Sequence, residues 1–95
     1  MRLVELLATK PLLVGDGAMG TRLMERGLVT GTCGELWNLE APEVIEQIQR
    51  EYAEAGADYL LTNTFGGNPV ALARHGVEDR MADVNRAAVE IARRA

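Results

Sequence analysis

Cysteine is almost absent: Cys33 is the only one in 95 residues. An internal disulfide framework is therefore excluded, and a reducing compartment, with the cytoplasm as the default, is the expected setting. Positive charge is also scarce. Ten Lys and Arg stand against fourteen Asp and Glu, for a net charge of −4. A nucleic-acid binder that grips phosphates with a basic face is not expected from that balance. No apolar run is long enough to span a bilayer. The opening MRLVELLATKP carries Glu5 close behind its one early Arg and lacks a small-residue cleavage site, unlike a secretory signal. No fixed-period repeat or low-complexity tract is present. What is there is the chemistry of a small soluble domain, 47% apolar and 25% charged, with room for only a marginal core.

Leu3, Leu6 and Leu7 have helical spacing and stop ahead of Pro11. Leu12-Leu13-Val14 is a short apolar run ending in Gly15, the pattern of a buried strand. Ala18 to Glu25 reads as a short helix stopped by Gly27, and residues 28–41 show no period and read as a loop. Pro42 suits a first helical position, and Val44, Ile45, Ile48, Tyr52 and Ala55 share one face up to Gly56. Asp58 to Thr62 is the second strand, and Asn68-Pro69 opens a short helix closed by Gly76. Val77, Met81, Val84, Ala88, Ile91 and Ala95 then mark a final amphipathic helix. Strands separated by helices predict an α/β fold, here two parallel strands with flanking helices. Two strands alone would leave both edges raw. The last helix has no C-terminal cap, so residues 1–95 are expected to be one partial domain of something larger.

Gly15-Asp16-Gly17-Ala18-Met19-Gly20 satisfies G-x-G-x-x-G after a strand and before a helix, as a dinucleotide fingerprint requires. Two features oppose that reading. Asp16 puts an anion where a pyrophosphate would approach, and the next strand ends in Thr62-Asn63-Thr64, with no acidic ribose ligand. The same geometry suits the opposite electrostatics. A carboxylate between glycines at a strand's end fits an ammonium group. The hydroxyls, amide and backbone N–H groups of Thr62 to Gly67 fit a carboxylate. Together they would clamp an amino acid zwitterion.

Asp-Gly-Ala-Met-Gly-Thr (16–21), Glu-Leu-Trp-Asn (35–38), Ala-Pro-Glu-Val-Ile (41–45) and Ala-Gly-Ala-Asp (55–58) occur in order with Thr-Asn-Thr-Phe-Gly-Gly (62–67) and His-Gly-Val-Glu-Asp (75–79). The set resembles the N-terminal part of the homocysteine S-methyltransferase domain over nearly all of the chain. Betaine–homocysteine methyltransferase-like members and the homocysteine module of cobalamin-dependent methionine synthase are the most similar in pattern. The resemblance implies the N-terminal portion of a (β/α)8 barrel. It also implies methyl transfer from a donor to homocysteine, bound as a zinc thiolate, to give methionine. Cobalamin or folate would enter only in a larger parent protein. Asp16 matches the aspartate near the substrate amino group, Gly17 the adjoining backbone contact, and Thr62, Asn63 and Thr64 the second substrate-binding motif. The three cysteines that hold zinc in the family have no match here, and Cys33 corresponds to none of them. The chain alone is therefore expected to be inactive, either the front part of the enzyme or a remnant that associates without catalysis. The donor and the oligomeric state stay open.

Other residues have plainer readings. Asp16 could cap the helix that follows it. Thr62 to Thr64 could be turn chemistry. Trp37 is expected to pack the long loop, Met19, Met24 and Met81 to fill the core, and His75 to favour a helix C-terminus.

Overall fold

The computed structural model describes residues 2–95. Six helices follow in order: α1 (Leu3–Thr9), α2 (Gly20–Glu25), α3 (Trp37–Glu40), α4 (Pro42–Glu54), α5 (Pro69–Ala73) and α6 (Met81–Arg94). Short 3-10 turns, Gly34–Leu36 and Glu78–Arg80, lead into α3 and α6. Periodicity explains the long elements. Ile45, Ile48 and Gln49 of α4 are buried, and so are Val84, Ala88 and Ile91 of α6. Leu23, Ile45, Ile48 and Ile91 form the core, with Met19, Leu28, Trp37, Val44 and Tyr52 packed against it. Pro42 starts α4 as expected. Asn68 caps α5, its Oδ1 accepting from the Ala71 N–H at 2.8 Å. Gly56, at φ 113°, closes the turn after α4 in a conformation that glycine alone adopts freely. Helix α1 buries none of its residues.

The expected pair of parallel strands does not form. Among the described residues the structure holds no strand or sheet, only one isolated parallel bridge between Gly15 and Tyr59. The α/β class and the barrel portion are thus corrected to a helical arrangement carrying two extended segments. The cause lies in two carboxylates. Asp58 Oδ2 accepts from the Val14 N–H at 2.9 Å, and Asp16 Oδ2 accepts from the Leu61 N–H at 3.1 Å. Side chains thus take two donors that a ladder would pair with carbonyls. Beside the bridge, a backbone bond runs from the Asp58 N–H to the Val14 carbonyl at 2.6 Å. Nor is the first segment buried: Leu12 is 78% exposed and Val14 61%. The loop expected over residues 28–41 also contains a 3-10 turn and α3.

Candidate functional site

The glycine loop between the first extended segment and α2 is shaped by tyrosines. A Cβ on Gly15 would stand 2.7 Å from the Tyr59 ring, and one on Gly17 would stand 2.9 Å from the Tyr52 ring. A side chain at either glycine would force the facing tyrosine ring to shift, a role for these glycines that needs no phosphate. Tyr52 also donates its hydroxyl to the Ala18 carbonyl at 2.7 Å, fastening the loop to α4. Arg22 lies over the same ring, 5.4 Å from its centre, and pairs with Glu51. The sequence reading placed Tyr52 on the core face and missed its hydroxyl. An amphipathic tip near the end of an otherwise apolar stripe was the available signal.

Asp16 is half-buried at the end of the first segment. Its Oδ2 is engaged by Leu61, while its Oδ1 makes no hydrogen bond among the described residues. Gly17 follows it, exposed. Across the bridge, Thr62 and Thr64 share a hydroxyl–hydroxyl hydrogen bond of 2.8 Å. Asn63 turns inward. Its Nδ2 donates to the Gly34 carbonyl at 3.1 Å and to Asn38 Oδ1 at 3.0 Å, and its carbonyl accepts from Asn38 Nδ2 at 2.9 Å. Asn38 Nδ2 reaches the Val84 carbonyl as well, at 3.2 Å. This buried amide pair ties α3, α6 and the second segment together. Asn38 closes the Glu-Leu-Trp-Asn motif that the sequence shows, but nothing in the motif indicates that its amide pairs with Asn63. Gln49 adds a further tie, donating to the Leu61 carbonyl at 3.1 Å, and its buried Oε1 has no partner among the described residues.

Two cavities border this region. The larger, about 500 Å³, is lined by Met19, Leu23, Met24, Leu28, Glu35, Asn63 and Phe65, among others. The second, about 400 Å³, lies between the second segment and α6 and includes Asp58, Tyr59, Thr62 and Arg93. The expected site residues are therefore not gathered around one cavity. Asn63 borders the first and Thr62 the second, while Asp16, Gly17 and Thr64 border neither.

A zinc ion does not fit the residues present. Among the described residues, no group of three His, Cys, Asp or Glu could hold a metal ion. Cys33 is buried and its Sγ donates to Glu35 Oε1 at 3.8 Å. Burial, and after it the Glu35 charge, push the Cys33 thiol up from its ordinary value. No helix among the described residues is long and apolar enough to cross a membrane.

The homocysteine S-methyltransferase family model matches residues 13–95, and the chain belongs to that family. The chain is 42% identical over 98 residues to the methionine synthase of Mycobacterium leprae (strain TN), covering 97% of this chain and 8% of that protein. It is 43% identical over 88 residues to the methionine synthase of Mycobacterium tuberculosis (strain ATCC 25618 / H37Rv), covering 86% and 7%. Among solved structures, it aligns with the homocysteine methyltransferase MmuM from Escherichia coli in its metallated form, at a TM-score of 0.80 and 32% identity, covering 97% of this chain and 33% of that one. The oxidized form of the same enzyme gives a TM-score of 0.81 at 32% identity, covering 97% and 32%. The chain thus spans less than a tenth of these curated relatives and a third of these solved ones.

Proposed function

We propose that this chain contributes the homocysteine-binding part of an enzyme that moves a methyl group onto the sulfur of homocysteine, giving methionine. In that reaction the bond from donor to methyl breaks, a sulfur–methyl bond forms and the thiol proton leaves. The observation that carries the reading is the family match over residues 13–95. Asp16 offers its unbonded Oδ1 to the substrate ammonium, and Gly17 offers the adjoining backbone. Thr62 and Thr64 offer hydroxyls, and Asn63 holds them from the interior. Zinc, and cobalamin or folate where a carrier brings the methyl group, belong to the same reading and take their ligands from outside this chain. The methyl donor is the other partner.

Titration calorimetry of the chain with L-homocysteine, and separately with NAD, tests the proposal. Saturable heat with homocysteine alone is expected. NAD binding, or no homocysteine binding, overturns it. A second reading, association without catalysis, is favoured by the apolar residues left open on the extended segments, Leu12, Val14 and Leu61. It predicts a concentration-dependent mass in sedimentation and no homocysteine heat.

A further inference from the structure

The consecutive glycines Gly66 and Gly67 form a socket for two polar side chains that come from different elements. A Cβ on Gly66 would stand 2.9 Å from Oε1 of Glu35, and a Cβ on the buried Gly67 would land on Oδ1 of Asn85. Asn85, on α6, donates through Nδ2 to the Gly67 carbonyl at 2.7 Å and to the Met81 carbonyl at 3.0 Å. Inside the turn, the Gly67 N–H donates to the Thr64 carbonyl at 2.9 Å. The residue this turn carries, Phe65, is 99% exposed and borders the larger cavity together with Glu35. An aromatic side chain that buries nothing is not held by its own packing. Its position is set by the backbone beneath it, which is held from outside the turn by the Thr64 N–H bond to the Thr62 carbonyl at 2.8 Å and, from another element, by Asn85.

We infer that Asn85 is a positioning residue for the larger cavity. It seats the Thr64–Gly67 turn so that Phe65 and Glu35 keep their places on the cavity wall. The inference concerns the shape of that wall and holds whichever molecule enters, so its failure and that of the homocysteine reading are separable.

Cys33 provides the readout, because its thiol is bonded to the same Glu35 that packs on Gly66. Its rate of modification by an aromatic disulfide reagent is measured in the wild-type chain, in Asn85→Ala and in Asn85→Asp, which keeps the size but loses the Nδ2 donor. Each variant should raise the rate about tenfold, the population change expected when one buried hydrogen bond is lost. Gly67→Ala should raise it similarly, and the Gly67→Ala/Asn85→Ala pair should add little beyond either alone, since both remove one contact. An Ile91→Val control, which loosens the core away from the turn, separates local release from general unfolding. Expected is a low Cys33 rate in that control at a comparable melting temperature. The inference is overturned if both Asn85 variants stay within about twofold of wild type, or if their rates follow melting temperature along the same line as the control.

Discussion

The packed helices α3, α4 and α6 and the two extended segments, residues 11–19 and 57–64, are held together by different physics. Ile45, Ile48, Val84, Ala88 and Ile91 are fully buried and gain their stability from removing apolar surface from water. In the extended segments, Leu12, Val14, Tyr59 and Leu61 stay exposed. There Asp58 and Asp16 do the fastening, each carboxylate on one segment accepting from a backbone N–H of the other. Lys10 pairs with Asp58, holding its carboxyl below the usual range together with the Val14 bond. One region is fixed by non-directional burial, the other by directional bonds. A substitution should therefore act according to which region it enters, more than according to how apolar the residue is.

The largest expected effect is in the helical core. Ile48→Ala should cost about 2–5 kcal/mol in urea unfolding, the range for emptying a buried aliphatic site, and equal tolerance of Ile48→Ala and Leu12→Ser would break the comparison. Next comes the amide pair that joins the two regions. Asn38→Ala strips partners from Asn63 and from the Val84 carbonyl, and should cost about 1–3 kcal/mol by the same measurement. A pH effect follows on the outer face of α4. Glu51 is held at about 2 instead of 4.5, first by its hydrogen bond from Arg22, then by Gln47 and Arg26. A carboxyl whose pKa is depressed on folding adds stability above its unfolded value and loses it as pH falls through the folded one. The melting temperature should therefore drop between pH 4.5 and 2, and Glu51→Gln should flatten that drop. The smallest effect is the sharpest contrast: Leu12→Ser, on the exposed segment, should change stability by no more than about 0.5 kcal/mol.

Much of the helical half was legible in the amino-acid order. Pro42 with its apolar stripe, the Asn68 cap and the Val84–Ala88–Ile91 spacing each state their structure through local rules. The extended half was only partly legible. Its two segments lie where the apolar runs placed them and meet in parallel, at Gly15 and Tyr59. That they stop short of a ladder depends on Asp16 and Asp58 reaching across 45 and 44 positions to backbone donors, and no periodicity reports such a reach. The site divides the same way. Asp16 and the Thr62–Thr64 stretch stand out as motifs. The groups that fasten the backbone around them, Asn38 at Asn63, Gln49 at Leu61 and Tyr52 at Ala18, are single polar side chains on packed helices, and only tertiary structure shows what they touch.

The central claim is that Asp16 has two functions at once, one oxygen holding Leu61 and the other meeting a substrate ammonium. Amide NMR of the chain titrated with L-homocysteine, in wild type and in Asp16→Asn, tests it most directly. An asparagine can still accept from the Leu61 N–H while carrying no charge. The account predicts saturable shifts at the Gly17 and Leu61 amides in wild type. In Asp16→Asn it predicts an unchanged Leu61 environment before ligand is added and loss of the response to homocysteine. Full response in the variant, or shifts confined to residues remote from Asp16, would contradict it.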